Sequence, residues 1–288
     1  MSLKVGEINY TNIMPMFSKL PRQLLTDRGF QFIQAVPAEL NQLMAEGKVD
    51  VGGISSFEYA RNPQAYLVLP NLSVSSIGSV GSIFLFSKLP IQELDQADIA
   101  LTSSSATSVH LLKILLKRYI YVNPEYYVET PSIQEMLNKY DACLLIGDDA
   151  IKASWEQPAL YRYDLGALWY EWTGYPMTYA LFAVRRTAAA ANKPEIQLLY
   201  ESFIQSKFDN MKDSFAELIK NINNTVGGSE DFWENYFRNL HFGLSDEHFK
   251  GLELYIRLLA EDGYIYGKAG IELWQPVNDD KISKVDVT

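Results

Sequence analysis

"MTYALFAVR", residues 177–185, predicts a long buried strand, and it decides the fold. A second apolar stretch, "SIFLFS" at residues 82–87, precedes it. Strand and helix patterns alternate before and between these two stretches, and the chain after about residue 193 is nearly all helical. This order indicates an insertion. We predict an α/β protein with lobe one at 1–87 and 178–288 and lobe two at 88–177, joined by a two-strand hinge over a cleft.

The composition favours a large soluble protein and excludes some partners. The chain has 288 residues, of which 48% are hydrophobic, so it can bury a sizeable core. Its net charge is −10 and no basic stripe occurs, which argues against a nucleic-acid partner. No apolar run approaches the ~18 residues of a membrane span, and the N-terminus shows no signal-peptide pattern. We expect a cytoplasmic protein without a membrane partner.

The sequence gives little support for metal or nucleophilic chemistry. His110, His241 and His248 are scattered, and the single cysteine, Cys143, lies in an apolar strand pattern. No Cys/His metal spacing, P-loop, Gly-x-Gly-x-x-Gly or Gly-x-Ser-x-Gly elbow is present. We expect no metal, no cofactor, and chemistry that needs few acids or bases from the protein.

Several helices are predicted to begin directly after strands. Ser55-Ser56 is expected to cap a short helix, and a helix of about four turns is predicted from Ala106 to Tyr119. Thr130 is expected to cap the next helix, with Pro131 in its first turn. Ligands of open α/β sheets bind beyond the carboxyl ends of strands, so polar residues at such junctions are the first candidates for a site.

Four polar clusters occupy such junctions. They are Asn9-Tyr10-Thr11-Asn12, Gly52-Gly53-Ile54-Ser55-Ser56, Gly78-Ser79-Val80-Gly81-Ser82 and Ser103-Ser104-Ser105-Ala106-Thr107-Ser108. Each cluster alone is commonly no more than a helix cap. In a two-lobe fold all four are expected to face one cleft, where hydroxyl and backbone N–H groups at helix starts bind carboxylates well.

Four carboxylates are candidates for acid–base work: Glu58, Asp148, Asp149 and Asp164. Asp148, at the end of a predicted strand, is also a candidate contact for a substrate. The simpler alternative is that Asp148 and Asp149 cap the following helix, since acidic side chains are favoured in a first turn.

Six stretches carry a resemblance to a known family. They are "VGEINYTNIMPMF", "VDVGGISSFEYARN", "LVLPNLSVSSIGSVGSIFLFSKLPIQEL", "LTSSSATSVHLLKILL", "LLIGDDAI" and "DLGALWYEWTGYPMTYALFAV", in that order from residue 5 to about 184. Together they resemble the chorismate dehydratase family (MqnA) of menaquinone biosynthesis by the futalosine route. The resemblance implies a bilobal fold like that of type II periplasmic binding proteins, used by a cytoplasmic enzyme. It also implies dehydration of chorismate without cofactor or metal.

The same resemblance implies two catalytic residues. The family's functional asparagine, in a Tyr-x-Asn-x-x-Pro motif, falls on Asn12. Its functional serine, in a Gly-x-Val-x-Ser-[Val/Ile] block, falls on Ser82. Tyr10 and Thr11, beside Asn12, are expected to line the cleft and orient the substrate.

A Ser-x-Thr-Ser-Val block of the family falls on Ser105, Thr107 and Ser108. Many members of the family have an arginine after the first serine of this block. Here that position is Ala106, so no side-chain salt bridge to the substrate is expected from it. We expect the block to hold one substrate carboxylate through hydroxyl and N–H groups.

Chorismate carries two carboxylates, and Ser55 and Ser56 are second candidates for holding one of them. Dehydration must remove the ring proton beside the enol-ether oxygen and expel the neighbouring hydroxyl. The motifs of Asn12 and Ser82 contain no His, Asp or Glu, so we expect the substrate's own side-chain carboxylate to take the proton.

Two other functions remain open from the sequence. One is a non-catalytic binding protein for a small anion, because fold does not fix function. The other is the sister enzyme that makes 1,4-dihydroxy-6-naphthoate, which is expected to need a histidine in its site. The C-terminal helices either pack onto lobe one or pair two chains, so a homodimer is also possible.

Overall fold

The computed structural model describes residues 2–157, 159–267 and 270–276, and its strands form two mixed sheets. The strands are β1 (Leu3–Ile8), β2 (Phe30–Ala35), β3 (Val51–Ser55), β4 (Tyr66–Ser76), β5 (Ile83–Ser87), β6 (Asp98–Thr102), β7 (Glu125–Glu129), β8 (Ala142–Ile146), β9 (Tyr161–Asp164), β10 (Met177–Arg185) and β11 (Leu240–His241). The first sheet has the order β11-β4-β10-β3-β1-β2, and the second has the order β7-β6-β8-β5-β9.

Helices cover the sheets and make up most of the C-terminal third. They are α1 (Met14–Phe17), α2 (Arg22–Asp27), α3 (Pro37–Ala45), α4 (Ser56–Arg61), α5 (Ala106–Leu115), α6 (Ile133–Lys139), α7 (Gly147–Glu156), α8 (Leu165–Thr173), α9 (Arg186–Ala191), α10 (Lys193–Lys212), α11 (Ala216–Thr225), α12 (Glu230–Asn239) and α13 (Asp246–Glu261). Short 3₁₀ turns lie at Thr11–Ile13, Pro63–Ala65 and Ile91–Glu93, and a π-helical turn lies at Leu116–Ile120.

Each sheet combines a parallel part with antiparallel strands. In the first sheet β1 runs parallel to β2 and β3, and β10 runs antiparallel to β3 and β4. In the second sheet β6 runs parallel to β7 and β8, and β5 runs antiparallel to β8 and β9. The predicted fold class, an α/β protein of two lobes with a helical C-terminal region, is confirmed.

The two crossings between the sheets differ from the predicted pair of hinge strands. The chain leaves the first sheet after β4, passes through residues 77–82 and enters the second sheet at β5. It returns through α8, which connects β9 to β10. The predicted lobe one ended at residue 87, whereas β5 pairs with β8 and β9 in the second sheet. All five residues of β5 are buried, so its apolar sequence could not show which sheet it joins.

Local predictions agree in most places and fail at identifiable residues. Strand β10 has the predicted bounds, and the Ser55 hydroxyl caps α4 by accepting a hydrogen bond from the Glu58 N–H. Thr130 was the wrong cap for α6, because the hydroxyl of Ser132 accepts the hydrogen bond from the first turn. The helix predicted to Tyr119 ends as α5 at Leu115 and continues as the π-helical turn.

The C-terminal helices contact both lobes. On α10, the Asn210 amide donates hydrogen bonds to the Pro15 carbonyl and the Ser18 hydroxyl of lobe one. On α13, the Tyr255 hydroxyl donates to the Thr107 carbonyl at the start of α5. In the described part of the chain, no helix combines the length and the apolar character that a bilayer crossing requires.

Candidate active site between the two lobes

A cleft lies between the lobes, beyond the carboxyl ends of strands from both sheets. Its lining residues surround about 530 Å³ of empty space, which includes space open to solvent. Its polar or aromatic lining residues are Tyr10, Asn12, Ser55, Ser105, Thr107, Ser108 and Tyr179, and its other lining residues are Ile8, Ile13, Pro37, Val74, Ile83, Ile146, Gly147 and Ala180. Six of the ten predicted site residues therefore line one space.

Asn12 faces this space from the 3₁₀ turn that follows β1. It is half-buried, and its side chain forms no hydrogen bond with any other residue of the described chain. A carboxamide offers two donor hydrogens and one acceptor oxygen. Asn12 is therefore free to bind a polar group inside the cleft.

Tyr10 reaches across the cleft from lobe one to lobe two. Its hydroxyl lies near the Ser104 side chain, and burial raises the pKa of Tyr10 above its usual value. Its ring covers Gly147, where an added Cβ would lie 3.0–3.1 Å from ring carbons. Gly147 also has a φ of +61°, so both the backbone and the ring favour glycine at the start of α7.

The starts of α4 and α5 meet at the cleft. Ser105 caps α5 by accepting a hydrogen bond from the Ser108 N–H at 3.2 Å, and its hydroxyl donates to the Ser108 hydroxyl at 3.0 Å. The Thr107 hydroxyl accepts a hydrogen bond from the Phe57 N–H at 3.0 Å, which joins the two lobes. Ser55, the cap of α4, accepts a further hydrogen bond from Asn41 at 2.9 Å.

Thr11 and Asp148 are bonded to each other instead of lining the cleft. The Thr11 hydroxyl donates to Asp148 Oδ1 at 2.6 Å, and the Thr11 N–H donates to the same oxygen at 3.3 Å. Burial raises the pKa of Asp148, and the hydrogen bonds from Thr11 oppose this effect. The pair fastens lobe one to α7 of lobe two, next to Gly147.

Ser56 and Ser82 are also absent from the lining. Ser56 is fully buried and donates to the Thr178 carbonyl at 2.7 Å. Ser82 is fully buried and accepts a hydrogen bond from the Tyr236 hydroxyl at 2.9 Å. Ser82 nonetheless lies one residue from the lining residue Ile83, and its carbonyl accepts a hydrogen bond from the N–H of Gly147 at 2.7 Å.

The crossing segment before Ser82 is held by one carboxylate. Asp164 accepts hydrogen bonds from the backbone N–H groups of Val80 at 3.0 Å, Gly81 at 2.7 Å and Ala167 at 3.0 Å. Burial raises the pKa of Asp164, and these hydrogen bonds oppose the rise. The cluster Gly78–Ser82 therefore turns its polar backbone toward Asp164, and none of its residues lines the cleft.

Two tyrosines near the cleft were missed in the sequence. Tyr179 lies inside β10 and lines the cleft, and its hydroxyl forms a 3.0 Å hydrogen bond with Ser76. Tyr236, the partner of Ser82, lies on α12 in the helical third, far along the chain from the polar clusters. Seven of the nine residues of β10 are buried, so alternation does not single out Tyr179, and no local pattern connects Tyr236 to Ser82.

The acid–base candidate Glu58 and the residue His110 have partners outside the cleft. Glu58 accepts hydrogen bonds from Arg61 and from the Tyr66 hydroxyl, and burial raises its pKa. His110 stacks on Phe57 with ring centroids 3.8 Å apart, and burial lowers the pKa of His110 to about 4. Among the described residues, no group of three or more His, Cys, Asp or Glu side chains is placed to hold a metal ion.

Comparison with known proteins identifies the family of the chain. A sequence model described as "Menaquinone biosynthesis" matches residues 3–261. The chain is 31% identical to a chorismate dehydratase of Thermus thermophilus, over 89% of this chain and 94% of that protein. It is 28% identical to a chorismate dehydratase of Campylobacter jejuni, over 62% of this chain and 66% of that protein.

Two solved structures show the same fold. A protein of Archaeoglobus fulgidus superposes with a TM-score of 0.72 at 19% identity, covering 92% of this chain and 98% of that one. The periplasmic aliphatic sulphonate-binding protein of Escherichia coli superposes with a TM-score of 0.69 at 15% identity, covering 96% and 93%. The fold is therefore that of periplasmic binding proteins, and the match over residues 3–261 shows that the chain belongs to the menaquinone biosynthesis family.

Proposed function

We propose that this protein eliminates water from chorismate to give 3-[(1-carboxyvinyl)oxy]benzoate, acting as a carbon–oxygen lyase in menaquinone biosynthesis. Family membership and the chorismate dehydratase of Thermus thermophilus support this function. The observation that carries it is the cleft itself, whose lining combines the unpaired Asn12 carboxamide with several hydroxyl groups and contains no His, Asp, Glu, Lys or Arg among the described residues.

Such a lining suits a substrate that brings its own reactive groups. Elimination transfers the ring proton beside the enol-ether oxygen to a base and expels the neighbouring hydroxyl. The base then gives that same proton to the departing hydroxyl, so the net loss is one water. The product ring is aromatic, so the driving force lies in the substrate. The substrate's side-chain carboxylate is the proposed proton acceptor, since no described lining side chain is a carboxylate or imidazole. The protein then contributes position and hydrogen bonds.

Asn12 is the proposed contact to the reacting part of the substrate. Its amide is half-buried, faces the cleft and has no partner in the described chain, so it can bond the substrate without breaking a contact of the fold. Hydrogen bonds that strengthen as charge develops lower the barrier, and one such donor typically contributes a factor of about 10² to 10³ in rate.

Ser105, Thr107 and Ser108 are the proposed site for one substrate carboxylate. All three line the cleft at the start of α5, where hydroxyl and N–H groups concentrate and the helix dipole favours an anion. Ser55 is the proposed contact for the second carboxylate, from the opposite lobe. Because no lysine or arginine of the described chain lines the cleft, these neutral donors must hold both negative charges.

Ser82 is the second proposed catalytic residue. Its hydroxyl accepts from Tyr236, and its own proton has no acceptor among the described residues. Ile83 and Gly147 line the cleft on either side of Ser82. A substrate that binds between these two residues reaches the Ser82 proton. In this proposal Tyr10 lines the cleft, and Thr11, Ser56 and Asp148 stabilise the structure around it.

The reaction as proposed uses no metal and no cofactor. A cytoplasmic location is proposed from membership of a biosynthetic family. A homodimer remains a prediction from the sequence.

The test is incubation of the purified protein with chorismate, without added cofactor, followed by chromatography and mass spectrometry of the products. The expected result is an aromatic product that has lost one water relative to chorismate. Chorismate that binds and is recovered unchanged would contradict the proposal and favour a binding protein for small anions. The sister enzyme of the same route has less support, since no described lining residue of the cleft is a histidine.

A further inference from the structure

Tyr236 connects the helical third of the chain to Ser82. Its hydroxyl donates a 2.9 Å hydrogen bond to Ser82 Oγ, and both side chains are buried, with exposed fractions of 4% and 0%. Ser82 directly precedes β5, and Tyr236 lies on α12. The contact therefore reaches the proposed catalytic serine from α12, a described helix none of whose residues lines the cleft.

The packing around Tyr236 fixes where its hydroxyl lies. Its ring stacks on Phe232 at 6.2 Å and meets Trp233 edge-on at 5.5 Å. Trp155 of lobe two packs edge-on against Phe232 at 5.1 Å, so α12 is anchored to the lobe that contains Ser82. An added Cβ at Gly81 would lie 3.3 Å from the Tyr236 ring, which shows how closely the crossing segment approaches it.

The hydrogen-bond directions are also fixed around this pair. The Thr11 side chain lies near Tyr236, and its hydroxyl donates to Asp148 Oδ1 at 2.6 Å. Burial raises the pKa of Tyr236 far above neutrality, so its hydroxyl keeps the proton that it donates to Ser82. A serine hydroxyl has one donor hydrogen, and with an acceptor site occupied by Tyr236 that hydrogen points elsewhere.

We propose that Tyr236 is a positioning residue that orients the Ser82 hydroxyl as a hydrogen-bond donor to the reacting part of the substrate. The inference rests on the proposed function of Ser82. It also gives the C-terminal helices a part in the reaction, because α12 supplies the group that sets the direction of the Ser82 proton.

The test compares Tyr236→Phe with Tyr66→Phe as a matched control. Tyr66 is fully buried, and its hydroxyl donates to Glu58 at 3.1 Å, away from the cleft. Tyr236→Phe is expected to lower kcat about tenfold with KM within about twofold of wild type, the size expected for one hydrogen bond. Tyr66→Phe is expected to leave both constants within about twofold. A kcat of Tyr236→Phe within about twofold of wild type would overturn the inference.

A double-mutant cycle separates positioning from general loss of structure. Tyr236→Phe should change kcat less than about twofold when Ser82 is already alanine, because the oriented hydroxyl is gone. An equal loss of about tenfold in that background would overturn the inference while leaving the function intact. Ser82→Ala with wild-type kcat would overturn the role of Ser82 and the inference together. Failure of the wild-type protein to dehydrate chorismate would overturn the proposed function as well.

Discussion

The polar segments Tyr10–Asn12 and Gly78–Ser82 look alike in the sequence and face opposite ways in the structure. Both follow a strand of the first sheet and combine small polar residues with a turn. The first directs Tyr10 and Asn12 into the cleft. In the second, backbone N–H groups donate hydrogen bonds to Asp164, and the serine hydroxyl accepts one from Tyr236.

The difference teaches what decides whether a polar cluster meets a ligand. The first segment leaves Asn12 without an intramolecular partner among the described residues on its cleft side. The second segment crosses between the sheets and contacts two polar side chains, because Asp164 accepts hydrogen bonds from its N–H groups and Tyr236 donates one to its serine. In the segment Gly78–Ser82, Ser82 is therefore the residue that can act on a substrate.

The largest expected effect is on catalysis at Asn12. Asn12→Ala is expected to lower kcat for chorismate by about 100-fold or more, equal to about 2.7 kcal/mol of barrier. Stability should change little, because the amide bonds no described residue. Asn9→Ala, at an exposed neighbour outside the lining, serves as the control in steady-state kinetics and should stay within about twofold. Asn12→Ala with near wild-type kcat would contradict the assignment.

The next effect is on stability at Asp164. Asp164→Ala removes the acceptor of three backbone N–H groups and is expected to lower the free energy of unfolding by about 2 kcal/mol. Urea unfolding measures this loss, with Asp149→Ala as the control because Asp149 is exposed. If the two variants were equally stable, Asp164 would not hold the crossing segment.

Thr11 tests the part of the first segment that faces away from the cleft. Thr11→Val is expected to lower the free energy of unfolding by about 1 kcal/mol, and Thr11→Ser, which keeps the hydroxyl, should lose much less. Asp148 has a raised pKa when folded, so the folded state holds its proton more tightly, and stability falls as pH rises through the carboxyl range.

The hydrogen bonds from Thr11 oppose that rise in the pKa of Asp148. Thr11→Val should therefore raise the pKa of Asp148 further. The free energy of unfolding should then fall more between about pH 4 and about pH 7 than it does in wild type. Unfolding free energies at several pH values measure this slope. A slope equal to that of wild type would show that the contact between Thr11 and Asp148 has little effect in solution.

The smallest effect concerns the backbone of the crossing segment. Gly78 has a φ of +80° and open space where the methyl group of an alanine would lie, so Gly78→Ala should cost only backbone strain, about 1 kcal/mol. Gly243 also has open space but no positive φ, and Gly243→Ala is the control, expected to cost nothing measurable in thermal unfolding. If the two variants were equally stable, an alanine at position 78 would cause no measurable backbone strain.

Much of the site follows from local sequence, and the remainder depends on long-range packing. Residues Asn12, Ser55 and Ser105 are predictable because each stands where a strand ends and a helical turn begins. The sheet of β5 was not predictable, since a strand buried on both faces has no alternation that distinguishes one sheet from the other. The contact of Tyr236 with Ser82 depends on how α12 packs, which no local pattern specifies.

The most direct measurement of the central claim is a crystal structure with 3-[(1-carboxyvinyl)oxy]benzoate bound. The account predicts the molecule in the cleft, with one carboxylate at Ser105, Thr107 and Ser108 and the Asn12 amide within about 3.2 Å of a polar atom of the ligand. A ligand bound elsewhere, or seated in the cleft with the Asn12 amide beyond hydrogen-bonding distance, would contradict it.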